Sequence, residues 1–333
     1  MRVGRSRARV GVRWGVVLVV ALAALAGCRG KRNSAEPPKP ASAGFPVTLT
    51  DALGSKVTVA RKPQRIVSLA PTVTEILFAI GAGDRVVAAA DPADYPAEAA
   101  KLPRVGGWFT PSAERALGAA PDLVIGSRGN PPDFLNSLRK SGVTVFTIDP
   151  AKLDDITAAV KSIGAITGAE QGADRVVAEM QSRLDAITSK LKDVPETKRP
   201  TAFIVISTNP LWTAGSGTFQ DDAIRAAGAR SIATDRKGFT PFSTELLMAA
   251  DPNYLLLSTM EGNPDQMKRE VLADPAMKRM SAAREGRLVV LDANQIMRPG
   301  PRIVDAIEAM ARAFYPERFA SESKPSSSAT SAR

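Results

Sequence analysis

Two stretches of this chain carry the same pattern without a gap, 131 positions apart (Gly107 to Gly238). The first, Gly107-Trp108-Phe109-Thr110-Pro111-Ser112-Ala113-Glu114, runs on to Ala119-Ala120-Pro121-Asp122-Leu123 and Ser127. The second, Gly238-Phe239-Thr240-Pro241-Phe242-Ser243-Thr244-Glu245, runs on to Ala250-Asp251-Pro252-Asn253-Tyr254 and Ser258. Gly, Ser, Glu, Ala, Pro and Ser fall on themselves, and an aromatic falls on an aromatic at Trp108 and Phe239. Two copies are too few for a solenoid, which needs at least about three stacked repeats. The duplication predicts two similar lobes related by a pseudo-two-fold, each offering one aromatic and one glutamate in matching places.

The pattern between the motifs agrees with α/β lobes. Arg65–Leu69 reads as a short buried strand broken by Pro71. Thr72-Val73-Thr74-Glu75 has the form of a capping box, with a helix to follow that ends at Gly81 and Gly83. Further strands are expected at 86–89, 123–125 and 143–148, with helices at 112–118 and 132–141. Strands that alternate with helices predict a parallel sheet. The alternation repeats after residue 200, with strands at 202–206, 254–257 and 288–291 and helices at 219–227, 264–272 and 301–314. Between the halves lie helical segments at 153–167 and 170–191. In the second, Val176, Met180, Leu184, Ile187 and Leu191 form one apolar stripe. A helix of that length spans roughly 30 Å. The expected fold is therefore α/β, with two parallel-sheet lobes joined by a long bridging helix and a ligand cleft between them. A helical bridge resists wide lobe closure.

The termini read differently. A basic stretch ends at Arg13, an apolar run follows to Ala26, and Leu25-Ala26-Gly27-Cys28 closes the leader. The run has signal-peptide length and is too short to span a bilayer. Cys28 is the sole cysteine, so it has no disulfide partner. Residues 28–44 read as a disordered tether and 320–333 as a disordered tail. The expected domains are thus a signal peptide over 1–27, the tether, a first lobe over 45–150, bridging helices over 151–195, a second lobe over 196–319, and the tail. The chain carries 44 basic against 34 acidic residues. Five of the arginines lie in the leader. The remaining excess is spread along the chain, which argues against nucleic-acid binding.

Histidine is absent from the whole sequence. It is the commonest metal ligand and the usual general base. With no cysteine in the folded part, its absence speaks against a zinc site or a Ser-His-Asp hydrolase. No catalytic residue, metal site or cofactor is expected, and the chain reads as a non-enzyme. Aromatics are scarce, at 5%. Trp108 and Phe239 each follow Gly and precede a helix, which places them on loops beyond the strand ends. Ligand sites in α/β sheets form there. Flat aromatic faces suit a large, mostly apolar ring system, and burying each ring could supply ~1.5–3 kcal/mol. Glu114 and Glu245 sit in first helical turns, where the macrodipole favours them by ~0.3–1 kcal/mol. Ser112 and Ser243 before them read as N-caps.

The run Arg65-Ile66-Val67-Ser68-Leu69-Ala70-Pro71-Thr72-Val73-Thr74-Glu75-Ile76-Leu77, with Gly81-Ala82-Gly83-Asp84-Arg85-Val86-Val87, Asp94-Tyr95-Pro96 and Leu102-Pro103-Arg104-Val105-Gly106-Gly107-Trp108, resembles the periplasmic binding proteins that serve ABC importers of cobalamin and ferric siderophores. The resemblance covers roughly residues 45–319 and is stronger in the first lobe. It implies two α/β lobes with the ligand between them, and within the family the likeness is greatest to cobalamin binders. It places Trp108, Phe109, Ser127, Trp212, Phe239 and Arg298 in the ligand cleft. Pro92 and Ser127 stand where that group has aromatics. Haem binders of the family have a tyrosine near Trp108. The ligand implied is a corrinoid, or else a ferric chelate, which would want converging cations; Arg128, Arg298 and Arg302 are available. A periplasmic enzyme or sensor lipoprotein on the same scaffold is the different-class alternative. The resemblance also implies that Glu114 and Glu245 dock on an ABC permease dimer, as charge-assisted contacts that give orientation and on-rate. The leader resembles a lipobox, which implies a lipid on Cys28 and a membrane-anchored, exported protein. Several acyl chains on one residue anchor stably where a single chain is marginal. A monomer is expected.

Overall fold

The computed structural model describes residues 44–258 and 264–320. The leader, Cys28 and the tail lie outside the described residues.

The first lobe opens with an antiparallel hairpin, β1 (Val47–Thr50) and β2 (Lys56–Val59). Then come β3 (Ile66–Ser68), α1 (Pro71–Ala79), β4 (Val86–Ala89), α2 (Ala113–Gly118), β5 (Leu123–Ser127), α3 (Pro132–Lys140) and β6 (Thr144–Ile148). Strands β3 to β6 form one parallel sheet in the order β4-β3-β5-β6. Its strands read as continuous apolar runs because both faces are covered. Ile66, Leu123 and Ile125 face a core shared with α1 and the bridging helices. Val67, Val124 and Val145 face the other way, onto residues of α2 and α3.

The second lobe contains β7 (Thr201–Val205), β8 (Ser207–Thr208), β9 (Leu211–Ala214), α6 (Phe219–Ala226), β10 (Arg230–Ser231), β11 (Phe239–Pro241), α7 (Thr244–Ala250), β12 (Tyr254–Leu257), α8 (Pro264–Ala273), α9 (Ser281–Arg284), β13 (Leu288–Val290), α10 (Ala293–Ile296), α11 (Ile303–Phe314) and α12 (Pro316–Phe319). The parallel sheet runs β10-β7-β12-β13. When each lobe's parallel strands are counted in chain order, both sheets read second, first, third, fourth. The duplication in the sequence is therefore a duplication of topology. Ser112 and Ser243 cap α2 and α7, each accepting a hydrogen bond from the backbone N–H three residues on. Asp122 receives the N–H groups of Gln64 and Arg65 just before β3, and Asn253 receives that of Thr201 at the start of β7.

The bridge is a helical hairpin, in which the long helix expected is accompanied by a second crossing helix. Both α4 (Leu153–Thr167) and α5 (Glu170–Leu191) cross from lobe to lobe. Ile156 of α4 packs into the second lobe's core, while Val160, Ile163 and Ile166 pack into the first. Helix α5 runs back the other way. Ala173 lies in the first core, Val176 touches both, and Met180, Ile187 and Leu191 lie in the second. The two helices turn at Gly168 in the left-handed region, with φ of 62°. Gly172 is forced by contact, because a Cβ there would sit 1.9 Å from the Ile80 carbonyl oxygen.

Two further readings need correction. The motif from Thr72 to Glu75 is not a capping box. Helix α1 starts at Pro71, its N-cap Ala70 has no side-chain bond, and Thr72 lies inside the first turn. The region between β7 and α7 also holds an antiparallel ribbon, β11-β9-β8, beside the parallel sheet. Phe239, expected on a loop, stands on its edge strand.

The candidate ligand cleft

The floor of the cleft in the first lobe is built around one buried asparagine. Asn130 is 2% exposed. Its Nδ2 donates to the carbonyls of Leu69, at the end of β3, and Trp108, at 3.1 and 2.8 Å. Its Oδ1 accepts from the Ser127 N–H at 2.8 Å. One side chain thus ties together the two strand ends and the loop that carries Trp108. Indole Nε1 donates to Ser127 Oγ at 2.8 Å. A Cβ at residue 129 would lie 2.6 Å from the indole, so glycine is needed there. Phe109 stacks on Trp108 with ring centroids 4.7 Å apart. The indole is fixed by bonds and contacts on several sides.

Two cavities meet at this residue. One, of about 250 Å³, lies among Thr72, Pro92, Trp108, Phe109, Asn294 and Arg298. The other, of about 420 Å³, lies among Trp108, Ser127, Arg128, Thr218, Phe219 and Phe239. Thr72 and Trp108 of the first lobe and Met297 and Pro299 of the second line both. The ligand space is thus one interlobe cleft divided at Trp108, of a size ordinary for small-molecule sites. Phe109 and Phe239 are 61% and 50% exposed.

Five of the six expected cleft residues come together: Trp108, Phe109, Ser127, Phe239 and Arg298. Trp212 lines neither cavity. It lies on β9 opposite Pro241, so it shares a face of the ribbon with Phe239. Sequence reasoning missed Asn130, Thr72 and Met297. An Asn before Pro131-Pro132 marks a turn, and nothing more in the sequence pointed to its three partners.

Arg128 and Arg298, which line the cleft, and Arg302, which lies outside its lining, are each matched to a carboxylate. Arg298 bonds Asp94 at 2.6 Å and the Pro92 carbonyl at 3.2 Å. Burial of Asp94 raises its pKa, but the hydrogen bond and charge of Arg298 outweigh burial and hold the carboxyl below the usual aspartate range. Arg128 pairs with Asp149 at 2.5 Å. Arg302 takes Glu75 through Nε and Nη2 at 2.9 and 2.8 Å, and its own N–H adds a third bond at 3.1 Å. Its guanidinium also lies 3.7 Å from the Tyr95 ring centre. The Glu75 and Asp94 pairs both cross between lobes. Among the described residues no cluster of three metal-ligating side chains forms.

The two docking candidates occupy matching exposed sites. Glu114 and Glu245 stand in the first turns of α2 and α7. The Ser243 hydroxyl donates to Glu245 at 2.5 Å, which holds that carboxyl below the ordinary glutamate range.

Residues 66–295 match the sequence model of a periplasmic binding protein. The chain belongs to the periplasmic binding protein family. An uncharacterized ABC transporter substrate-binding lipoprotein of Bacillus subtilis (strain 168) is 30% identical over 317 residues, covering 93% of this chain and 98% of its own. A cobalamin-binding protein of Halobacterium salinarum is 28% identical over 315 residues, covering 91% of this chain and 85% of its own. Among solved structures, the periplasmic heme-binding protein of Roseiflexus sp. RS-1, in apo form, superposes with a TM-score of 0.69 at 30% identity, over 77% of this chain and 99% of that one. This periplasmic binding protein is accordingly an exported substrate-binding component of an ABC importer and not an enzyme. No helix among the described residues is long and apolar enough to cross a membrane.

Proposed function

We propose that this periplasmic binding protein captures cobalamin or a related corrinoid and delivers it to the membrane permease. The observation that carries the reading is the lining of the cleft. Aromatic faces from both lobes, Trp108, Phe109 and Phe239, meet a rim whose arginines are neutralised in place. Such a surface suits a broad ring system whose periphery is amide rather than carboxylate. An anionic ferric siderophore needs free cations, and the two arginines that line the cleft, Arg128 and Arg298, already hold Asp149 and Asp94. Haem needs an axial ligand. The chain has no histidine and no tyrosine lines either cavity, which leaves the weak thioether donor of Met297 at the cleft. The relative that binds cobalamin supports the same choice.

In this reading Cys28 carries the lipid that holds the protein at the membrane, and Glu114 and Glu245 meet arginines on the two halves of the permease. Their equivalent positions support a shared task, which the helix dipole alone does not require.

Titration with cyanocobalamin, ferrichrome and haemin tests the ligand. Trp14 lies in the leader, so a mature protein carries Trp108 and Trp212 alone. Cyanocobalamin should quench their emission saturably, and Trp108→Phe should remove most of the change. Saturable quenching by ferrichrome or haemin, with none by cyanocobalamin, would reject the corrinoid reading.

A further inference from the structure

Three buried polar side chains stand at the start of α6: Thr218, Gln220 and Asp221. Two are fully engaged. Thr218 Oγ1 donates to the Gly215 carbonyl at 2.7 Å and accepts the Asp221 N–H at 3.2 Å. Asp221 accepts from Arg225 at 2.7 Å and from the Thr234 hydroxyl at 3.1 Å. Gln220 differs. Its side chain is wholly buried, its Nε2 meets only the Met297 sulfur at 3.8 Å, and its Oε1 has no partner among the described residues. A thioether is a weak acceptor. Turning the carboxamide over exchanges its atoms and still leaves one of them alone. Buried amides are nearly always satisfied, so an exception calls for a reason.

The place of the exception supplies one. Met297, the sole hydrogen-bond partner of the Gln220 amide among the described residues, lines both cavities of the cleft. Thr218 and Phe219, the two preceding residues, line the larger. The unsatisfied amide therefore lies one flexible side chain behind the cleft wall.

We propose that Gln220 is a ligand-recognition residue concealed behind Met297, and that a carboxamide on the ligand's rim displaces the thioether and pairs with it. This rests on the reading of the cleft as the site for an amide-rimmed ring. Methionine, unbranched and with three rotatable bonds, is suited to such a cover. A ligand carboxamide offers one N–H and one C=O, which match the acceptor and donor of glutamine. A carboxylate only accepts and leaves Oε1 alone. The device thus selects amide rims over carboxylate rims.

Gln220→Leu, made in the full chain, tests it. Replacing an unsatisfied amide by an apolar side chain should leave the melting temperature at or above the wild-type value. The same change should weaken cyanocobalamin binding by about tenfold, the loss of one buried hydrogen-bonded contact. A lower melting temperature for Gln220→Leu makes the amide a structural group, and an unchanged Kd removes it from the ligand; either overturns the proposal. If wild type binds ferrichrome instead, the corrinoid reading fails by itself, and the Kd of Gln220→Leu for ferrichrome, whose peptide ring also carries amides, decides; if it binds only haemin, whose rim is carboxylate, the proposal is overturned as well. If it binds none of the three, the proposal is overturned together with the ligand reading.

Discussion

The two lobes share a topology, a pair of N-capping serines and a pair of glutamates, yet they spend their buried polar groups differently. In the first lobe the helix after the leading strand, α1, sends Glu75 across the seam to Arg302. In the second lobe the corresponding helix, α6, keeps Asp221 at home with Arg225 and Thr234. The aromatic pair differs in the same sense. Trp108 is bonded to Ser127, while Phe239 has no donor to offer, and the matching Ser258 hydroxyl is buried without a partner among the described residues. The first lobe is therefore the fixed wall, and it also supplies both carboxylates of the interlobe pairs. Duplication conserved the frame, and the ligand face diverged.

The largest effect should come where the lobes remain alike. If Glu114 and Glu245 dock equivalently on the permease, reversing both to Lys should bring uptake to background while ligand affinity and melting temperature stay near wild type. Like charges would then face the permease arginines. Each single reversal should do similar partial damage. Uptake at the wild-type rate in the double variant would return the two glutamates to their helix-dipole role, and unequal single effects would show that the lobes dock differently.

Next in size is the seam. Glu75 is 3% exposed and holds Arg302 by several bonds. Removing one partner of such a pair leaves an uncompensated charge and costs ~3–5 kcal/mol. Glu75→Ala should show this loss in urea unfolding. It should also weaken ligand binding, because the Arg298–Arg302 segment that it anchors carries Pro299 and Arg298 at the cleft. Asp221→Ala should destabilise too, but with less effect on ligand, since its partners lie within one lobe. Equal effects on binding would mean that the seam does not set the cleft.

The cleft aromatics come third. Trp108→Ala should weaken cyanocobalamin binding by ~2–3 kcal/mol, and Phe239→Ala by ~1 kcal/mol. Both rings offer area, but the indole is already ordered and loses less freedom on binding. Calorimetric titration of the two variants measures the gap. A larger loss at Phe239 would reverse the assignment of the fixed wall.

What the sequence revealed follows the same division. Helices α4 and α5 and strand β12 begin and end where their periodicity and apolar runs place them, because their signals are local. The duplicated motif matches the repeated sheet order and both N-caps, and Trp108 and Phe239 both line the interlobe cavities. The ribbon β8-β9-β11 escaped because its strands are two to four residues long and carry no clear alternation. Glu75 was misread because Thr72 and Glu75 match a local capping pattern. Pro71 takes the first helical turn instead, and the true partner stands 227 positions away. Arg298 was placed at the cleft, but its neutralisation by Asp94, 204 positions away, was invisible. Pairings between lobes leave no local mark on the sequence.

The smallest expected effect isolates the backbone of the repeat. Ala120 and Asp251 occupy equivalent places after α2 and α7, and both adopt the left-handed region, with φ of 46° and 36°. An alanine there costs ~1–2 kcal/mol in steric strain. Glycine relieves it and gives back ~0.4–1 kcal/mol through the freer unfolded chain. Ala120→Gly should therefore stabilise by ~0.5–1 kcal/mol. Asp251 has a second task. Its carboxylate accepts from the Ser281 N–H at 2.8 Å and hydroxyl at 2.5 Å. Asp251→Gly loses both bonds and should destabilise by ~1 kcal/mol. The pH dependence separates the two further. The Ser281 hydroxyl, despite some burial, holds the Asp251 carboxyl below its ordinary range. A carboxyl depressed in the folded state adds stability above its unfolded pKa and loses it as pH falls through the folded value. Asp251→Gly should accordingly be closest to wild type at the acid end of a melting series and farthest from it near neutrality. Ala120→Gly should run parallel to wild type throughout. Opposite signs for the two glycine variants would show that one turn is kept for its backbone alone and the other for its side chain; matching signs would make the two turns equivalent after all.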